Sequence, residues 1–151
     1  MVSYDKALEL VSTGIRQTKT EHIPLHKALF RFLAADVMSD IDMPPFDKAA
    51  MDGYACRRED LKRELKVLEM VAAGQVPTQK IAPGTCIQIM TGAMLPPGAD
   101  TVIMIEHTEV SREGHIRFTA AKTATNIAFR GEDVKAHTVV LPKGTLIRPE
   151  H

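Results

Sequence analysis

Apolar residues near the start of the chain recur with helical spacing. Ala7, Leu8, Val11 and Ile15 fall three or four positions apart, which gathers them on one buried helical face, and Ser3 stands where an N-cap hydroxyl meets free amides. Gly14 and the polar run Gln17 to Glu21 close that segment. Pro24 opens a second one, in which Leu25, Ala28, Leu29, Phe32 and Leu33 again form a stripe. The spacing therefore predicts two short helices packed near the N-terminus. Between Asp40 and Pro45 the prolines forbid more helix and bias the residues before them toward extended geometry, which reads as a crossing between lobes.

Beyond about residue 64 the period becomes two. Leu65, Val67, Glu69 and Val71 alternate with Leu68 and Met70, and Ala73-Gly74 stops the run. Further strands are predicted at Cys86 to Met90, Thr101 to Glu106, His115 to Thr119 and Thr138 to Leu141. Turn formers separate them at Ala82-Pro83-Gly84, Leu95-Pro96-Pro97-Gly98, Arg112-Glu113-Gly114 and Pro142-Lys143-Gly144. The pattern predicts an α+β fold: short N-terminal helices, then a β-rich lobe built as a sandwich or barrel-like sheet. Residues 1–50 would form the helical segment and crossing, with 138–151 returning to it, and 51–137 the β lobe. Pro149-Glu150 has the chemistry of a helix start, so the chain reads as a fragment of something longer or as one with a disordered end.

Composition narrows the function classes. A chain of 151 residues with 44% hydrophobic content fills one ordinary core or two small lobes. Nineteen basic and nineteen acidic side chains cancel, so no bulk field draws it to nucleic acid or to a membrane, and any anion must be caught locally. Trp is absent and aromatic residues make up 5%, which implies an aliphatic core with eight Met as filler and excludes stacking platforms for bases. The N-terminus MVSYDKALEL lacks a basic region followed by an apolar core, and no run approaches the roughly 18 apolar residues of a membrane span. With only Cys56 and Cys86, which lack zinc-like spacing and read as buried or idle thiols, a reducing cytoplasm is the expected setting. The alternating charges of Arg57 to Glu64 read as a solvated helical face.

Phosphate-loop, dinucleotide, zinc-protease and nucleophile-elbow motifs are all absent. Three loops carry what chemistry there is. In Pro44-Pro45-Phe46-Asp47-Lys48-Ala49-Ala50-Met51-Asp52-Gly53, two acids lie on one prolyl bend with Asp52-Gly53 as a tight-turn dipeptide. They could hold a divalent cation or set up a base; equally, Asp52 could cap its own backbone in an Asx-turn. In Met90-Thr91-Gly92-Ala93 a strand ends on a hydroxyl and a Gly that can expose amides to an anion, although Thr-Gly is also a common turn. Arg130-Gly131-Glu132-Asp133 sets one cation beside two acids, which is either anion-handling chemistry or a local salt-bridged turn.

Together, Phe46 to Ala55, Ile89 to Ala93 with Pro97 to Val102, and Arg130 to Asp133 resemble, in order and spacing, the N-terminal half of the molybdopterin molybdenumtransferases, the MoeA and gephyrin E-domain family. The likeness runs from the helix at Ala7 to Lys143-Gly144-Thr145. It implies the first two domains of an elongated homodimer: a discontinuous helical domain with a β-rich domain inserted in it. It implies an enzyme that takes adenylylated molybdopterin and molybdate and, with Mg2+, releases AMP as molybdenum enters the dithiolene. It assigns catalytic roles to Asp52, Thr91 and Asp133, with Asp52 and Asp133 as metal candidates, and cofactor-binding roles to Asp47, Gly92, Arg130 and Glu132. Two positions depart from the family pattern: Ala128 replaces an Arg usual before the third loop, and Phe30 stands where a Gly is usual.

The resemblance leaves most of the substrate-binding surface to a domain beyond these residues, so the fragment alone is expected to be inactive. A non-catalytic interaction or scaffold module of gephyrin type is the rival reading. The enzymatic reading requires the three loops to converge at one rim with their acidic and hydroxyl tips toward solvent.

Overall fold

The computed structural model describes residues 2–14 and 18–151. The chain divides into two compact units, Met1–Val37 with Leu141–His151, and Met38–Val140. It passes from one to the other within the short strands β1 (Val37–Met38) and β10 (Val139–Leu141).

The first unit contains helix α1 (Tyr4–Thr13), whose N-cap Ser3 accepts a hydrogen bond from Lys6 N–H. Gly14 closes the helix by donating its N–H to the carbonyls of Leu10 and Val11. The helix forms where the spacing predicts it, but the face expected to be buried is not: Ala7, Leu8 and Val11 are exposed because no described segment covers them. Ile15 and Gln17 lie outside the described residues.

The second predicted helix does not form. Only a single 3-10 turn, Leu25–Lys27, follows Pro24. After it, apart from Arg31 N–H, which donates to Ala28 O (3.0 Å), backbone donors find partners on the returning chain. Phe30 N–H donates to Ile147 O (2.8 Å), Ile147 N–H to Arg31 O (2.8 Å) and Leu33 N–H to Thr145 O (2.9 Å). Phe30 enters that extended path with φ 62°, the left-handed region that Gly occupies without steric cost. That backbone angle gives a physical reason for a Gly at this position.

The second unit is built on a six-stranded sheet with order β6-β3-β5-β4-β8-β7. Its members are β3 (Gly53–Cys56), β4 (Glu64–Val71), β5 (Thr85–Ile89), β6 (Thr101–Met104), β7 (Thr108–Arg112) and β8 (His115–Phe118). Neighbours run antiparallel except β4 and β5, which are parallel. Two short strands outside this sheet, β2 (Lys48–Ala49) and β9 (Ile127–Ala128), pair with each other.

Both faces of the sheet are covered. Ala55, Val71, Ile87, Ile89 and Val102 pack on one core with Ala49, Ile81, Ala93 and Ile127. Tyr54, Cys56, Leu65, Cys86, Ile103 and Ile116 form a second core. Each large aliphatic side chain so buried contributes about 1.5–3 kcal/mol. Strand β3 lies between β5 and β6, and all four of its residues are buried, so its sequence is a run of small or apolar residues rather than an alternation.

Two further expectations are corrected. Arg57 to Glu64 is not a solvated helical face but one 3-10 turn, Arg58–Asp60, running into β4. Asp60 is only 2% exposed, its Oδ2 accepting Gly84 N–H at 3.1 Å and its Oδ1 lying 3.3 Å from Arg63 Nη1. Asp52-Gly53 is not a tight turn with positive φ; Gly53 is the first residue of β3. A Cβ there would lie 1.8 Å from the backbone oxygen of Ile103, so β6 and β3 can approach only over a bare glycine.

Candidate functional site

Strand β2 is two residues long, yet it joins all three loops. On one side Lys48 and Ala49 pair with Ala128 and Ile127. On the other, Ala49 N–H donates to Ala93 O (3.0 Å) and Ala49 O accepts from Gly92 N–H (2.8 Å). Gly92 makes that bond with φ 82°, which turns the chain sharply after Thr91. Ala128, where the resemblance leads one to expect Arg, fills a half-buried place opposite Lys48.

The second and first loops meet at the end of the main sheet. Gly53 opposes Ile89 across the β3–β5 ladder, so Asp52 and Thr91 leave the two strands at the same end. The exposed carboxylate of Asp52 does not cap its own backbone. Its Oδ1 accepts the Thr91 hydroxyl at 2.6 Å and the Thr91 N–H at 2.7 Å. These two donors, the hydroxyl first, hold Asp52 below the ordinary carboxylate value of 3.8. Asp52 is thus an ionised, solvent-facing acid fixed by a residue from a distant part of the chain.

The third loop is tied to the other end of the same segment. Gly131 N–H donates to Pro44 O (2.9 Å), and the N–H groups of Asp133 and Val134 donate to Met43 O at 3.0 and 3.1 Å. Asp47 Oδ1 accepts Arg130 N–H at 2.8 Å. Glu132 Oε2 stays within its own turn, accepting Phe129 N–H at 2.7 Å. The Arg130 side chain turns to Asp42, with Nε 2.6 Å from Oδ2, while Asp42 Oδ1 accepts Ala136 N–H at 2.9 Å. Those contacts, the Ala136 amide first and then Arg130, hold Asp42 below 3.8 as well. Sequence reasoning missed Asp42, because nothing local distinguishes it from its neighbour Asp40; only the tertiary approach of Arg130 does.

The backbones of the three loops therefore converge on residues 42–52. Among the predicted site residues, Asp52 meets Thr91 and Asp47 meets Arg130. Asp133 is exposed and tied at Met43, at the opposite end of the segment from Asp52. Glu132 and Asp133 line an open concavity with Lys135 and Thr138. Among the described residues no three His, Cys, Asp or Glu side chains gather to hold a metal. No helix among them is long and apolar enough to cross a membrane.

The chain as a whole has known relatives. A family model described as the MoeA N-terminal region (domain I and II) matches residues 2–151. The chain is 36% identical to the molybdopterin molybdenumtransferase of Bacillus subtilis (strain 168) over 98% of its length, and 41% identical to that of Haemophilus influenzae over 87%. It spans 37% and 33% of those proteins. The crystal structure of a molybdopterin biosynthesis moeA protein from Pyrococcus horikoshii OT3 superposes with a TM-score of 0.85 at 41% identity, covering 99% of this chain and 41% of that one. With its whole described length matched and its α+β architecture reproduced, the chain belongs to the family of the MoeA N-terminal region.

Proposed function

We propose that the chain is the N-terminal part of a molybdopterin molybdenumtransferase, an enzyme of molybdenum cofactor biosynthesis. The complete enzyme inserts molybdate into adenylylated molybdopterin and releases AMP, working as a cytoplasmic homodimer. Asp52, Thr91 and Asp133 are the catalytic residues this part supplies, with Asp47, Gly92, Arg130 and Glu132 around them. These 151 residues alone do not turn over substrate.

The observation that carries this reading is the Asp52–Thr91 pair, on a chain of this family. Thr91 occupies one oxygen of Asp52 with two donors and thereby fixes the carboxylate's direction. A hard, ionised oxygen facing solvent suits Mg2+, which binds through one or two carboxylates together with waters and substrate phosphates rather than in an all-protein cage. The scarcity of clustered acids among the described residues is compatible with that mode. Asp52 would hold the ion, which would supply neutralisation of charge on the phosphoanhydride of the substrate; Asp133, tied at Met43, would act from the other end of the segment. Asp47 and Asp42 position Arg130 and so hold the loop that presents Asp133.

The test is Asp52→Asn in the full-length protein, assayed for AMP release and molybdenum insertion. Turnover is expected to fall by about 100-fold or more while the oligomeric mass stays unchanged. Retained turnover would overturn the role of Asp52. Release of AMP by the isolated 151-residue chain would overturn the claim that it is inactive alone.

A further inference from the structure

Two cysteines face each other across the middle of the sheet, outside the site just described. Cys56 of β3 is the direct partner of Cys86 of β5, and both are free and fully buried. Residues directly opposite in a ladder project on the same face, and both side chains belong to the core formed with Tyr54, Leu65, Ile103 and Ile116.

The direction of the backbone bonds decides what kind of pair this is. A strand residue sends its N–H and C=O to the same side, and Cys56 O accepts Asp100 N–H (3.2 Å) on the β6 side. Cys56 therefore turns its hydrogen-bonding groups away from β5. The Cys56–Cys86 pair is of the non-hydrogen-bonded kind, with Cα atoms about 4.5 Å apart and side chains at their closest. A disulfide spans Cα separations of about 4.4–6.8 Å. The ladder already holds the two residues at a bridging distance. Thr101, opposite Cys56 on β6, is fully buried with its Oγ1 lacking a partner, which leaves a hydroxyl free to donate to an anion formed on the neighbouring sulfur.

We propose that Cys56 and Cys86 form an oxidation site, a dithiol that closes to a cross-strand disulfide when a small peroxide reaches the core. The thiolate of Cys56 attacks one oxygen of hydrogen peroxide and the O–O bond breaks. A sulfenic acid forms on Cys56, and the other oxygen leaves as hydroxide that takes up the thiol proton as water. The thiolate of Cys86 then attacks the Cys56 sulfur, the S–O bond breaks, and the departing hydroxide takes the proton released by Cys86. Two electrons pass from the two thiols to the peroxide, and two waters are produced. Burial, the largest cause at both positions, pushes both thiols up to about 12, so closure at neutral pH is slow and bulky disulfide reagents are excluded. The bond would pin β3 to β5 at the end of the ladder remote from the Asp52–Thr91 pair.

The test is prolonged treatment of the 151-residue chain with hydrogen peroxide, followed by denaturation, thiol titration and mass spectrometry. Loss of both titratable thiols, a linked peptide pair carrying Cys56 and Cys86 whose mass is two hydrogens below the sum of the reduced peptides, and a thermal midpoint raised by several degrees and restored by reductant are expected. Thiols that stay unmodified, oxygen added without linkage, or disulfide-linked dimers would each overturn the proposal. Cys56→Ala should abolish the linkage and the midpoint shift; a shift that persists in this variant also overturns it.

Discussion

Asp52 and Thr91 are tied at one end of the main sheet, the carboxylate Oδ1 of the first accepting both the hydroxyl (2.6 Å) and the N–H (2.7 Å) of the second. One residue precedes β3 and the other follows β5. Because Gly53 and Ile89 are opposed in register, the ladder itself delivers the two groups to each other.

Replacing the Thr91 hydroxyl with a methyl, Thr91→Val, keeps the size and leaves only the backbone donor. The Asp52 carboxyl should then titrate closer to 3.8, read by NMR of its side-chain carbon. The sign for stability follows from the depressed native value. The favourable contribution is present above the unfolded value of 3.8 and is lost as the pH falls through the lower native one, so Thr91→Val should lower stability at neutral pH and flatten that acid limb, with the two proteins drawing together below the native value. In the full-length protein turnover should drop with assembly intact. An unchanged Asp52 titration would contradict the bond.

Gly53→Ala should be among the most damaging single-methyl changes in this chain. The added Cβ meets a backbone oxygen of β6, which cannot swing aside as a flexible side chain would. A loss of about 3 kcal/mol, or failure to fold, is expected in urea denaturation. A loss below about 1 kcal/mol would mean that β3 and β6 are not held this closely.

Phe30→Gly should have the opposite sign. Phe30 has φ 62° and is 68% exposed, so glycine relieves a left-handed backbone while giving up little burial. A gain of about 1 kcal/mol is expected from the same denaturation measurement. Destabilisation would show that the ring makes compensating contacts.

Asp60 predicts a buried-acid penalty. With Gly84 N–H and Arg63 arranged around it, Asp60→Ala leaves the part-buried Gly84 N–H without its acceptor and should cost about 1 kcal/mol, measured as a shift in the urea midpoint at constant slope.

Much of the architecture is legible in the amino-acid order because it depends on local rules. The helix at Tyr4–Thr13 follows from Ser3, Gly14 and a 3–4 period, and the strand at Glu64–Val71 follows from its apolar run, although a register shift between Val67 and Met70 sends Leu65 and Val71 to different cores. The chemical loops were likewise visible as residue types, and their order and spacing carried the family. The α+β class came from the change of period.

What local pattern could not supply is where backbone donors go once the chain returns on itself. The stripe from Leu25 to Leu33 is helical in spacing, yet residues 145–147 offer carbonyls and amides that draw it into an extended pairing. Strand β3 has no alternation because it is covered on both faces, and Gly53 is needed by an approach from β6 rather than by a turn. Likewise, Asp42 meets Arg130 and Asp52 meets Thr91 only through long-range closure. The sequence determined which segments could be helix or strand and which side chains could carry charge. Tertiary structure decided which of those charges meet, because hydrogen-bond partners and burial belong to the packed chain and not to any stretch of it.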